Sequence, residues 1–202
     1  MPAHAEPQIR LLLATSNPGK RDEYRAMAER KSVQIDLLPD FSSLPTFDES
    51  APTFSENAAG KALHYSRLTD EKVLADDSGL VVPALGGAPG VHSSRYAGTG
   101  ASDADRVHKL LGEMHGKKGE DRKAHFVCVI AVAQRGLALS VVSAFAEGVL
   151  LEEPRGTGGF GYDPIFYFPA LGKTFAELSR QEKNRHSHRG IAFQRLLASL
   201  LP

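Results

Sequence analysis

The chain has one cysteine, no excess of either charge, and no apolar run approaching the length of a membrane span. A single thiol excludes an intramolecular disulfide framework and fits a reducing compartment. Cys128 sits inside the run Phe126-Val127-Cys128-Val129-Ile130 and is expected as a buried core thiol. Lys plus Arg number 24, as do Asp plus Glu. The global bias of a nucleic-acid polymer binder or a membrane-surface binder is therefore missing, and an anionic ligand must be met by a local cluster. Residues 1–8 lack the charged-then-apolar layout of a signal peptide. They are expected as an N-terminal extension ahead of a single domain over residues 9–202, in a cytoplasmic protein. Also missing are the Gly-Lys-Ser or Gly-Lys-Thr ending of a Walker loop and the dinucleotide fingerprint. What is present is 42% hydrophobic composition over 202 residues, enough for a sizeable core.

The order of patterns predicts an α/β protein around a mixed sheet. A nearly unbroken apolar run over 9–14 reads as a strand buried on both faces. It leads into Thr15-Ser16-Asn17-Pro18-Gly19-Lys20, where Ser or Asn as cap and Pro in the first turn announce a helix. A second strand is expected over 33–38 and a loop over 39–52, which carries Glu49. Thr53-Phe54-Ser55-Glu56 matches a capping box and opens a helix over 53–67. A further helix begins near Ser102 and runs to about Met114. The apolar stretches 125–133 and 137–147 flank a short polar turn and read as a β-hairpin. A final amphipathic helix is expected over 187–201.

Candidate chemistry gathers in a few places. Ala75-Asp76-Asp77-Ser78-Gly79-Leu80 ends an apolar run on two adjacent carboxylates. Neighbouring strand residues face opposite ways, so both acids enter one cleft only if the strand has already ended. One acid is then expected to work and the other to be structural, with Ser78-Gly79 permitting a tight turn. A carboxylate at a strand end is well placed to hold magnesium together with water and phosphate oxygens, and Glu49 is the candidate second ligand. Taken alone, such a pair more often caps a turn.

The hydroxyls, amide, helix-start donors and ammonium of residues 15–20 suit a polyphosphate, or a plain helix cap. Lys61 lies on the helix opened by Thr53 and either reaches the same anion or stays a solvated lysine. Gly156-Thr157-Gly158-Gly159-Phe160-Gly161-Tyr162-Asp163-Pro164 frames two aromatics that suit base stacking, or forms a flexible loop. Lys183, His186, His188 and Arg189 make the densest basic segment, which is a solvated face or a set of donors for a purine O6 acceptor. His186 and His188 lack the spacing of a helical zinc motif.

Taken in order, TSNPGK, TFSENAAGKA, ADDSGL, LGGAPGVHSSRYAG, GTGGFGYDPIF and SHRG resemble the inosine triphosphate pyrophosphatase family, from about Leu11 to the C-terminus. The resemblance implies hydrolysis of dITP, ITP and XTP to the monophosphate and pyrophosphate. It implies an elongated two-lobed α/β fold with a long central mixed sheet, a substrate cleft between the lobes, and a homodimer. It places the triphosphate on Thr15, Ser16, Asn17, Pro18, Gly19 and Lys20 with help from Lys61. Magnesium falls to Glu49 and Asp77, with Asp77 also the general base, and Ser78 touches substrate. Phe160, Gly161, Tyr162 and Asp163 line the base pocket, Lys183 touches the nucleotide, and His188 with Arg189 reads the base edge. A septum-inhibitor-like pyrophosphatase of modified pyrimidines is the rival enzyme, but SHRG argues against it. An inactive nucleotide-binding module is argued against by Glu49, Asp77, Lys20 and Lys61, since a pure binder gains nothing from a carboxylate that repels phosphate.

Overall fold

The first apolar run forms β1 (Ile9–Leu13), and Leu11 and Leu13 are fully buried, as an inner strand requires. In this computed structural model, which describes residues 9–29, 31 and 33–200, β1 pairs in parallel with β2 (Val33–Leu37) and with β3 (Val73–Val81). The expected extension over residues 1–8 lies outside the described residues. Parallel strands need crossovers, and α1 (Pro18–Ala28) and α2 (Phe54–Ser66) lie in the connections. At the start of α2, Thr53 Oγ1 accepts the Glu56 N–H at 3.2 Å, as a capping box demands. The reciprocal bond differs from expectation: the Thr53 hydroxyl donates to Glu56 Oε2 at 2.6 Å, so the carboxylate is engaged by the side chain. The full box appears on α3 (Asp103–Glu113), between Ser102 and Asp105.

The hairpin is built from β4 (Lys123–Gln134) and β5 (Leu137–Leu150), joined by Arg135-Gly136 with φ of 50° and 77°. Two consecutive positive φ values give the turn whose twist matches the flanking strands. The short strands β6 (Phe166–Phe168) and β7 (Lys173–Thr174) follow, β6 antiparallel to both β5 and β7. The result is a mixed seven-stranded sheet in the order β2-β1-β3-β4-β5-β6-β7. The final helix lies where it was expected, and a short helix that was not expected precedes it. These are α5 (His188–Leu200) and, ahead of it across the extended Ser187, α4 (Arg180–His186).

The chain divides into two units. Unit 1 takes the described residues up to Asp77, Val129–Val142, and those from Phe193 onward. One core cluster in it joins Leu12, Tyr65 and Val73 with Val129. Unit 2 takes Ser78–Cys128 and Ser143–Ala192, with a core around Leu80, Leu110, Phe126, Phe166 and Phe175. Cys128 is fully buried, as its apolar run implies. Arg122 is also buried in unit 2, and its guanidinium donates to the carbonyls of Leu150, Leu151, Met114 and Lys117. Among the described residues no helix is long and apolar enough to cross a membrane.

Candidate functional site

In unit 1 the turn from β1 to α1 places Lys20 at the third position of the helix. Thr15 Oγ1 accepts the Asn17 N–H at 3.2 Å, and Asn17 Oδ1 accepts the Lys20 N–H at 3.0 Å, with Pro18 in the first helical turn. The Asn17 carbonyl oxygen is therefore occupied by the cap. From that position Lys20 Nζ reaches Asp76 Oδ2 at 3.2 Å. On α2, Lys61 is buried and its Nζ donates to Glu49 Oε1 at 2.7 Å. Asp77, also buried, accepts a hydrogen bond from Asn57 Nδ2 at 3.0 Å.

Asn57 carries more than its place in TFSENAAGKA reveals. Its amide also donates to Ala51 O at 3.2 Å and accepts the Ala51 N–H at 3.0 Å, so it pins the Glu49-bearing loop while holding Asp77. Gly60 serves the same loop, since a Cβ there would lie 2.5 Å from the Phe47 ring.

These groups form one electrostatic cluster of three carboxylates, Glu49, Asp76 and Asp77, and two ammonium groups, Lys20 and Lys61. Burial raises the pKa of Asp77, and the charge of Glu49 adds to this, while Lys20, the Asn57 hydrogen bond and Lys61 pull it down. Burial acts to lower the pKa of Lys61, but Glu49, Asp76 and Asp77 together outweigh it and hold the ammonium above its usual range. Among the described residues no group of three or more His, Cys, Asp or Glu is placed to hold a metal ion, so a divalent cation here would take its remaining ligands from water or phosphate oxygens. Glu49 and Asp77 offer hard carboxylate oxygens, and a cation relieves both the burial of Asp77 and its repulsion by Glu49.

One expectation is corrected. The strand does not end before the two acids: β3 runs through to Val81, so Ser78-Gly79 is extended chain and makes no turn. The glycine is needed for close approach, because a Cβ at Gly79 would lie 2.4 Å from Ser93 Oγ and 2.5 Å from Gly90 O. Asp76 and Asp77 have different partners. Asp76 is ion-paired to Lys20, and its charge acts on Lys61 together with that of Asp77.

Unit 2 gathers the remaining candidates. Arg189, in the first turn of α5, is almost fully buried and donates from Nη2 to Ser78 Oγ at 2.6 Å. His188 is buried with its ring stacked on Phe126 at 4.7 Å between centroids. Lys183, on α4, forms a buried ion pair with Asp163, whose Oδ2 also accepts the Phe160 N–H at 2.8 Å. The partly exposed Phe160 ring has Lys183 Nζ 4.7 Å and Arg189 Cζ 5.6 Å from its centroid. Tyr162 is different. Its ring is part of the unit 2 core and its hydroxyl donates to Ser93 O at 2.9 Å, which leaves Phe160 as the aromatic with a face for stacking.

Sequence reasoning missed α4, although Ser179-Arg180-Gln181-Glu182 was there to be read: Ser179 and Glu182 make a complete capping box. It also missed Asp103, whose Oδ2 accepts the Gly161 N–H at 2.6 Å across a separation of 58 residues that no local pattern signals.

Comparison with known proteins gives a consistent set of matches. The model of the Ham1 family matches residues 11–199. A dITP/XTP pyrophosphatase of Geobacillus kaustophilus is 50% identical over 186 residues, 92% of this chain and 91% of the relative. One of Thermus thermophilus is 48% identical over 189 residues, 94% of this chain and 90% of the relative. Among solved structures, a HAM1 protein from Coxiella burnetii superposes with a TM-score of 0.84 at 42% identity, covering 95% of this chain and 98% of that one. The Ham1 protein of Staphylococcus aureus gives 0.83 at 36% identity, covering 95% and 97%.

Proposed function

Because the chain belongs to the Ham1 family, we propose that it hydrolyses the nonstandard purine triphosphates dITP, ITP and XTP to the monophosphate and pyrophosphate, clearing deaminated purines from the nucleotide pool. The observation that carries the chemistry is the unit 1 cluster, in which Lys20 and Lys61 stand among Glu49, Asp76 and Asp77. The two ammonium groups serve the triphosphate, neutralising charge that builds on the departing pyrophosphate. Glu49 and Asp77 would hold magnesium, which supplies charge neutralisation on phosphate oxygens. Asp77 orients a water and takes its proton, a role suited by the raised proton affinity that burial gives it. The water attacks the α-phosphorus in line, and the bond from that phosphorus to the oxygen bridging to the β-phosphorus breaks, with the electron pair leaving on pyrophosphate.

Selection among bases falls to unit 2. Phe160 offers a face for stacking, and Lys183, His188 and Arg189 supply donors for the O6 acceptor of hypoxanthine or xanthine. Adenine presents an amino donor at that position and leaves those groups unanswered, which is costly in a buried site. The protein acts as a cytoplasmic homodimer. A substrate panel assayed separately for pyrophosphate and orthophosphate tests the reading. Pyrophosphate is expected as the first product from ITP, with turnover of ATP lower by ~10²-fold or more. Equal rates on ATP and ITP would remove the specificity, and orthophosphate as first product would remove the bond assignment.

A further inference from the structure

In unit 2 the loop at residues 156–163 holds Phe160 through three hydrogen bonds that involve a side chain, beside backbone bonds from the Asp163 N–H to Phe160 O at 3.3 Å and from the Gly158 N–H to Ala176 O at 3.0 Å. The Phe160 N–H donates to Asp163, the Tyr162 hydroxyl donates to Ser93 O, and the Gly161 N–H donates to Asp103 Oδ2 at 2.6 Å. The third bond alone is made to the first turn of α3. Gly161 has a φ of 64°, a left-handed conformation that glycine adopts without steric cost, and this fixes where its N–H points. Asp103 is itself oriented. Its Oδ1 takes the Arg106 guanidinium, which also donates to Ser94 O at 2.9 Å and to Ala101 O at 2.6 Å. The carboxylate thus spans from a braced arginine to the peptide that directly follows Phe160. A hydrogen bond to an ionised acceptor is about twice as strong as a neutral one.

We propose that Asp103 is a positioning residue for base recognition: by gripping the Gly161 peptide it sets the Phe160 ring beside Lys183 and Arg189, in the pose that stacks on a purine. Both of its oxygens are engaged within the protein, so it acts through the ring and needs no contact with the nucleotide. The proposal rests on the reading of Phe160 as the stacking platform. With the grip removed, the ring is free to leave its place near the two cations, and stacking weakens for every base.

The test uses steady-state kinetics of the full chain on ITP and ATP, with melting temperatures for every variant. Asp103→Ala is expected to raise KM for ITP about tenfold, the scale of one lost stacking contact, with kcat within about twofold. Asp103→Asn keeps an oxygen for the Gly161 N–H and is expected to recover most of the loss. Asp105→Ala is the control for a merely structural role. Asp105 accepts from Ser102 N and Oγ at the start of α3 and has no bond to residues 156–163, so its loss should lower the melting temperature and leave KM unmoved. Phe160→Ala should raise KM by itself, and adding Asp103→Ala to it should change nothing further.

A KM rise in Asp105→Ala that matches Asp103→Ala, additive effects in the double variant, or an unchanged KM in Asp103→Ala would each overturn the positioning role. If instead Phe160→Ala leaves KM unchanged, the stacking premise falls and takes the proposal with it. That outcome is distinct from one in which Phe160 matters and Asp103 does not.

Discussion

At the scale of single residues, Asp77 is held against its own preference. Burial raises its pKa above the ordinary aspartate value of 3.8, and Glu49 adds to the shift. A folded-state value above the unfolded one means that the protonated acid favours the fold. That contribution is complete below 3.8 and is lost as pH rises through the folded value, so at neutral pH the ionised side chain works against stability. Asp77→Asn is therefore expected to melt at the same temperature or higher at pH 7 while turnover falls by about 10²- to 10⁴-fold, the usual worth of a general base. Calorimetry should find nucleotide binding retained. A lower melting temperature together with lost binding would make Asp77 a structural residue. The residues around it left open which of the two adjacent acids works, and only the family resemblance singled out Asp77; its partners had no local signal at all. Asn57 sits 20 positions away on another element, and the pairing of Lys20 with Asp76 depends on how α1 lies beside β3.

Among the elements, those that are locally encoded were readable. Pro18 after Asn17, Thr53 before Glu56 and Arg135-Gly136 between two apolar runs each hold the physical cause of the structure within a few residues. The course of β3 past Asp77 is not encoded that way, because polar residues in a strand are tolerated only through remote partners such as Ser93, whose Oγ accepts the Leu80 N–H at 2.9 Å. The break between α4 and α5 lies between these cases. Its capping box was visible, but its geometry rests on Gly190, where a Cβ would lie 2.0 Å from Asn184 O and 2.7 Å from the carbonyl carbon. The last residue of SHRG is thus a packing requirement where α5 meets α4. Gly190→Ala must push backbone aside and is expected to cost about 1–3 kcal/mol in denaturant titration. Because His188 and Arg189 precede it directly, the same variant should narrow the preference for ITP over ATP. A stability equal to the parent protein would show that the two helices have room to spare.

Across the whole molecule, the α/β class and the mixed sheet followed from the alternation of apolar runs and helix starts, whereas two lobes were implied only by the family resemblance and the boundaries of the two units by nothing local. Each unit is assembled from separated stretches of chain, and the boundaries fall inside β3, β4, β5 and α5, where composition does not change. Sequence punctuation marks the ends of elements, and here those ends are not the ends of units. The placement of Cys128 in an apolar run was a simpler inference, and its full burial makes a global test possible. A chromogenic disulfide reagent is expected to leave the native protein untouched and to react only as fast as the fold opens, with one equivalent released in denaturant. Prompt reaction without denaturant would mean that the strand carrying the thiol opens locally.

The enclosure of this lone thiol has a practical side. A cysteine introduced at an exposed position such as Thr157, in the same segment as Phe160, would be the sole reactive handle on the surface. A single fluorophore attached there would report how that segment behaves when nucleotide arrives, with no background label to subtract.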